Sequence, residues 1–340
     1  MSVTLKDIAK ETGLSVATVS KYINGATLKE RNRVAIERAI KKLGYMVNEY
    51  ARGLKSRKSR TIGVIIPELS NLFITQIITK MEEILRSRNY SVIICDCHTD
   101  PKLECDAVKF LLGKMVDGII NMPVNQDGRH LRPALERGIP VLLIDRTIPQ
   151  LKNVDSVLID NAGAADDAAS FLLERGHRRI GIIVGPQDVF TSRQRQEGYQ
   201  AALARYGVAK DESLIVHSDY TMQGGYESMR RLLNDDNGMT AVFITNYEMT
   251  LGAIIAINER GIRIPEQLSL IGFDNADLSR VIHPPLTIVT QPLEEIGVQS
   301  ANIILSRLTE ENTGASITVT LSTQIQQGSS IQTLNAEITC

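Results

Sequence analysis

Asp96, Asp145 with Arg146, Asp219 with Tyr220, Asn246, and Asp274 with Asn275 share one sequence context: each closes a short apolar run. Carboxylates and amides of this kind accept paired hydroxyl groups, and a neighbouring Tyr packs on C–H faces, so the chemistry they suggest is recognition of a small polar ligand. One carboxylate at a strand end is ordinarily a helix cap; several on one side need another reason. A second set lies near the start, in "SVATVSKYINGA" (15–26). There small Val16 and Ala17 suit close approach to base edges and thymine methyls, Lys21 reaches a guanine or a phosphate, and Thr18, Ser20 and Asn24 are uncharged donors for phosphate oxygens. Residues for catalysis or metal binding are scarce. The five histidines are scattered, and His98 and His177 read as surface or capping residues. "GPQDVF" and "MQGGY" are too sparse to cradle a phosphate, and Cys95-x-Cys97 has no second Cys/His pair at zinc spacing, so no metal and no cofactor is expected.

The elements that must position these residues follow from periodicity. Runs at 61–67, 91–97, 116–122, 140–145, 179–185, 214–219, 241–246 and 268–274 read as strands buried on both faces. Helical patterns at 71–89, 102–114, 162–176, 193–206, 224–234 and 247–260 separate them. Alternation of this kind means right-handed crossovers and doubly wound parallel sheets with helices on both sides. Ten or so strands exceed one comfortable sheet, so two similar subdomains are expected, changing near Asp160–Gly163. Ligands of such sheets sit beyond the carboxyl ends of the strands. Residues 1–45 read differently: a short helix ended by Gly13, a second over 16–23 capped by Ser15, and a third with Val34, Ile36, Ile40 and Leu43 inward. Two helices across a Gly-containing turn make a helix-turn-helix, whose second helix enters the major groove. The basic segment after Tyr45, with Gly53 in its middle, is marginal as an isolated helix and reads as a linker.

Charge separates the same two parts. Residues 1–60 hold 14 Lys+Arg and 5 Asp+Glu, a balance of +9; residues 61–340 hold 24 and 34, a balance of −10. The basic block points to a polyanion, because each neutralised phosphate releases condensed counterion. In 340 residues, 43% hydrophobic and 23% charged, no run approaches a spanning helix, and "MSVTLKDIAK" is not an apolar signal segment. A cytoplasmic protein is expected.

"VTLKDIAKETGLSVATVSKYING" and "LGYMVNEYARGLKS" resemble the N-terminal signature and hinge helix of the LacI/GalR family of bacterial transcription regulators. The likeness continues through "TIGVIIPELSNLF", "VLLIDR", "SRQRQEGYQAAL", "ITNYEMTLGAIIAI", "IPEQLSLIGFDN" and "PPLTIVTQPLEEIG", essentially the whole chain. The resemblance implies a headpiece over 1–47, a hinge helix and linker over 48–60, and a periplasmic-binding-protein-like core over 61–340. That core divides into about 61–160 plus 292–322 and about 161–291 plus 323–340. It implies a homodimer on a pseudo-palindromic DNA operator, with Thr4 and Ser15 joining the DNA-contacting set. In the hinge, Leu54 would wedge into the central base step beside Ala51, with Asn48 capping. It also implies a sugar-like effector held by Phe73, Asp145, Arg146, Arg195, Tyr220, Asn246, Asp274 and Gln291. Three departures bear on the sites: Asn71-Leu72-Phe73-Ile74 replaces the common N-P-F-F, Asn246-Tyr247 replaces an Asn-Asp pair, removing a carboxylate and offering a stacking ring, and Lys21 stands where Arg is commoner. The expectation is a repressor of a carbohydrate operon, more readily relieved than activated by its ligand. It is dimeric, since the tail shows no leucine heptad. The alternatives are a transport-type sugar-binding protein without DNA binding, opposed by the basic headpiece, and an enzyme.

Overall fold

The computed structural model describes residues 3–23, 26–45, 58–124, 126–234, 237–274, 276–309 and 314–334. Asn24, Asn48, Ala51, Leu54 and Asn275 lie outside the described residues, as does most of the expected hinge. The chain forms two compact units, Met1–Arg60 and Thr61–Cys340.

The first unit contains α1 (Leu5–Thr12), α2 (Val16–Ile23) and α3 (Glu30–Leu43). At the start of α1 the Asp7 carboxylate accepts from Thr4 N at 2.8 Å and Thr4 Oγ1 at 2.7 Å, which holds its pKa below the usual value. Gly13 ends this helix at φ 66°, a left-handed geometry that suits a residue without Cβ. Ser15 Oγ accepts from Thr18 N at 3.1 Å and so caps α2. Ile8 and Ala9 from α1, Val19 from α2, and Ile36 and Ala39 from α3 form the buried centre, with Leu14, Tyr22, Ile40 and Leu43 at its margin. The Tyr22 hydroxyl donates to Glu37 at 2.8 Å, tying α2 to α3.

The second unit repeats one winding. β1 (Thr61–Ile66), α4 (Leu72–Ser87), β2 (Ser91–Asp96), α5 (Pro101–Gly113), β3 (Gly118–Asn121), the short α6 (Arg132–Leu135), β4 (Val141–Ile144) and β5 (Asp155–Ile159) build the first half. Then come α7 (Asn161–Leu173), β6 (Ile180–Val184), α8 (Phe190–Arg205), β7 (Ile215–His217), α9 (Met222–Asn234), β8 (Ala241–Ile244), α10 (Tyr247–Glu259), β9 (Ser269–Phe273), α11 (Ala276–Val281) and β10 (Thr287–Thr290). α12 (Leu293–Arg307), β11 (Thr318–Leu321) and β12 (Gln324–Gln326) complete the chain. The sheets have the orders β11-β5-β4-β3-β1-β2 and β12-β10-β9-β8-β6-β7, all neighbours parallel except β12 on β10. The chain therefore passes between the sheets after β5, after β10 and after β11. α12 packs on α4 in the first half, which returns residues 293–307 to the sheet begun at Thr61.

Two expectations need correction. β2 is not buried on both faces: it is the edge strand, with Ser91 and Ile94 exposed. Apolar content alone does not distinguish an edge from a centre, because sheet order is set by distant segments. His177 is neither a surface nor a capping residue; it is fully buried, with Nδ1 2.9 Å from Thr240 Oγ1 and Nε2 3.1 Å from the Gln332 carbonyl.

Candidate functional site

The headpiece presents its candidate DNA-contacting residues on the outside. Ser15, Val16, Ala17 and Lys21 are exposed, Thr18 and Ser20 half-buried, and Thr4 exposed with its hydroxyl donating to Asp7. Val19 alone of α2 is fully buried, so one side of this helix is spent on the core and the other is left for contact. Arg33 pairs with Glu30 and Glu37, and Lys42 with Glu11. Lys6, Lys10, Lys21, Lys29, Arg31, Arg38 and Lys41 are exposed and make no ion pair among the described residues.

In the core unit the polar candidates gather at the carboxyl ends of the strands. Asp145 follows β4 and Asp274 follows β9, the fourth strand of each winding. Both adopt left-handed backbone, φ 69° and 66°, and both N–H groups donate to the next strand, Asp145 to Val157 O and Asp274 to Val289 O. Tyr220 has φ 65° as well. Side chains other than Gly, Asn or Asp rarely sit there, and such strain collects where a fold needs a residue aimed in one direction.

Arg195 is the best-fixed cation. It lies on α8, where an added side chain at Gly198, one turn on, would meet the Ala162 carbonyl at 2.0 Å. The glycine lets α8 approach the start of α7 closely enough for Arg195 Nε to reach Asn161 Oδ1 at 2.8 Å. Nη1 donates to the Thr245 carbonyl at 2.5 Å, and the guanidinium lies 3.8 Å over the Phe273 ring. Asp274 is next to that ring in sequence and is buried. Burial pushes its carboxyl up to about 6, against the opposing pull of Arg195 and of the bond from Gln291 Nε2, while Glu248 and Asp145 push it further up. Among the described residues, Gln291 Oε1 and Asn161 Nδ2 are buried without a hydrogen-bond partner. Unpaired buried polar atoms are uncommon and disfavoured, and these two belong to the residues that hold Asp274 and Arg195.

Asp145 accepts from Arg146 Nε at 3.1 Å, and Arg146 Nη1 donates to the Pro123 carbonyl at 3.1 Å. Tyr220 lies flat on Gly185, where an added Cβ would meet its ring at 2.1 Å. Its hydroxyl is 3.2 Å from Thr191 Oγ1, one turn before Arg195. Phe73, half-buried on α4, packs against the apolar cluster that also contains Phe273. The residue α4 sends across is Asn71, its N-cap, whose Nδ2 donates to Glu248 Oε1 at 2.9 Å. Asn246 caps α10 through Oδ1, accepting from Met249 N at 2.8 Å, and its Nδ2 also donates to Glu248.

Glu248 corrects one reading of the sequence. The carboxylate absent at position 247 stands one residue later, at Glu248, and half-buried Tyr247 packs against the apolar cluster of the second half, as Tyr220 does. Glu248, Asn71, Asn161 and Thr245 lay outside the expected set; an acidic residue two positions after a strand-end Asn was the available signal. Asp96 and Asp219, by contrast, are spent on nearby loops, Asp219 on its own turn and Asp96 on both its own turn and the loop after β1. Asp96 accepts from Leu69 N and His98 N, and Asp219 from Thr221 N and Oγ1. Glu68, Asp96 and His98 offer ligand atoms within 4.8 Å of one another, but both Asp96 oxygens already serve those backbone N–H groups. The Cys97 thiol is buried, donates to the Ile66 carbonyl and is pushed up to about 12, which keeps it protonated.

A helical headpiece carrying a helix-turn-helix, followed by two parallel sheets with charged strand ends, defines the class of ligand-responsive regulators. Residues 4–48 match the profile of bacterial regulatory proteins of the lacI family, and residues 169–331 that of the periplasmic binding protein-like domain. Catabolite control protein A of Priestia megaterium is 36% identical over 319 residues, 93% of this chain and 96% of that protein. The transcriptional repressor CytR of Escherichia coli K12 is 33% identical over 92% of both chains. Among solved structures, the lac repressor dimer bound to operator and the anti-inducer ONPF superposes with a TM-score of 0.88 at 25% identity, over 98% of this chain and all of that one. The complex of the regulator CelR with cellobiose gives 0.75 at 30% identity, over 96% and 99%. The chain belongs to the lacI family of bacterial regulatory proteins. No helix among the described residues is long and apolar enough to cross a membrane.

Proposed function

We propose that the protein is a sequence-specific DNA-binding repressor whose operator affinity is set by a small saccharide bound at the strand ends of the core. The observation that carries this is the pairing, in one chain, of an exposed recognition surface at Val16, Ala17 and Lys21 with a buried polar group around Arg195 and Asp274. The proposed ligand contacts are Asp145, Arg146, Arg195, Tyr220, Asn246, Asp274 and Gln291, with Phe73 supporting the wall. On the DNA side they are Thr4, Ser15, Val16, Ala17, Thr18, Ser20, Lys21 and Asn24, with Asn48, Ala51 and Leu54 in the hinge. The protein acts by binding and not by turnover, in the cytoplasm and as a homodimer. In support of the homodimer, each half leaves large apolar side chains in solvent, Ile94, Phe110 and Met115 in the first and Met222, Ile255 and Val281 in the second. The relatives named above are regulators, and the lac repressor structure is a dimer on its operator.

The test is fluorescence anisotropy on duplexes selected from random sequence. Binding is expected to weaken linearly in log–log form with added salt, as phosphate neutralisation requires. Lys21→Ala should weaken it by about tenfold and relax the sequence preference. A chain that selects no duplex, or binds all of them equally, would contradict the reading.

A further inference from the structure

The two helices that reach Glu248 come from opposite halves of the core. Asn71 caps α4 by accepting from Ile74 N with Oδ1, and Asn246 caps α10 by accepting from Met249 N with Oδ1. With both Oδ1 atoms committed to their own helices, both Nδ2 groups are turned to the same carboxylate, one on each oxygen of Glu248. Helix N-termini carry partial positive charge and unpaired N–H groups, so the space between two of them is where a phosphate or carboxylate on a ligand would settle. Here the chain's own carboxylate is already in that space.

The remaining charges lead to the same conclusion. Arg146 is joined to Asp145 and to the Pro123 carbonyl, and Arg195 to Asn161 and Thr245, so each cation is held by the protein. Asp145, Glu248 and Asp274 are three carboxylates against these two cations, and the first two raise the proton affinity of Asp274. The unpaired Gln291 Oε1 adds an acceptor. Such a lining needs donors from its ligand, and hydroxyl or ammonium groups supply them.

We infer that Glu248 serves as a built-in anion between the N-termini of α4 and α10, so that the site selects uncharged or amine-bearing, hydroxyl-rich ligands and rejects phosphorylated or carboxylated ones. The inference rests on the saccharide reading above and names the class within it. Glu248 is then a specificity-determining residue, acting through charge as well as through its two amide partners.

Isothermal titration and thermal shift with matched probes on the full chain test it: glucose, cellobiose and ribose, glucosamine, glucuronate, glucose 6-phosphate and ribose 5-phosphate. For the wild type, at least one uncharged or amino member is expected to bind, and its phosphate or uronate counterpart at least about tenfold more weakly. In Glu248→Ala the gap should close to within about threefold, and inorganic phosphate alone should now raise the melting temperature. Glu248→Gln, which keeps the size and one acceptor, should narrow the gap in the same direction if the alanine variant does not fold. An anionic probe that binds the wild type as tightly as its uncharged parent, or a gap unchanged in both variants, overturns the inference and leaves the saccharide reading standing. No binding by any probe overturns the saccharide reading and the inference with it.

Discussion

In the headpiece, Ile8, Ala9, Val19, Ile36 and Ala39 are buried, and Thr4, Ser15, Val16, Ala17 and Lys21, proposed to touch DNA, are exposed. In the second half of the core the arrangement is inverted. Arg195, Asn161, Thr245 and Asp274 are themselves buried, beside Phe273 and a cluster that runs through both sheets. The difference follows from size. A three-helix unit has few positions to bury and places its chemistry on a surface whose geometry one helix fixes. A two-sheet unit can bury charged groups, provided it supplies Asn161, the Thr245 carbonyl and Gln291 as partners. One region recognises a large polyanion from outside; the other is built to enclose something small.

The largest expected break in that comparison is Ile36→Ala. It removes a fully buried side chain, at about 2–5 kcal/mol, comparable with the whole stability of so small a unit. DNA binding should disappear while the core's calorimetric transition stays in place; a core transition that moves with it would show the two units to be one cooperative structure. Asp274→Asn comes next. The native carboxyl titrates near 6 and the unfolded one near 3.8, so the native state binds the extra proton between these values. Stability therefore falls as pH rises across that window, and the ionised group disfavours the native state by roughly 2–3 kcal/mol at neutral pH. The variant should lose the response to ligand yet melt higher than wild type at pH 7, with the advantage shrinking toward pH 4. An unchanged ligand response would remove Asp274 from the site.

Asn71→Ala should be milder. It deletes the bond to Glu248 between the halves and the N-cap bond from Ile74 N, together about 1–3 kcal/mol of stability, and with them at most about tenfold in ligand affinity by titration, while operator binding without ligand is retained. The smallest effect belongs to His177, whose burial lowers its pKa below the usual 6.5. Below that value the unfolded chain takes up a proton the native state resists, so melting temperature should fall as pH drops through about 6.5, and less steeply in His177→Gln.

The helix-turn-helix was legible because Gly13, Ser15 and Val19 act locally: a left-handed stop, a cap and one buried face. In the core, apolar runs mark β1 to β4 and β6 to β9 but not β5, β10, β11 and β12. β11 and β12 are four and three residues long with two positions exposed in each, and β5 opens on Asp155, a buried carboxylate paired with Arg307 at 2.7 Å from 152 residues away. The same distance effect hid Glu248. Nothing near it in sequence announces that Asn71, 177 positions earlier, will meet it.

The central claim is that a molecule bound near Arg195 and Asp274 decides what Val16, Ala17 and Lys21 do. Its most direct test is operator anisotropy on a selected duplex, with and without a saccharide that binds by calorimetry, for wild type and Asp274→Ala. The account expects the ligand to change wild-type operator affinity by about tenfold or more and to leave the variant's affinity, equal to that of the ligand-free wild type, unmoved. A ligand that binds the core without altering DNA affinity, or one that shifts both proteins equally, would contradict it.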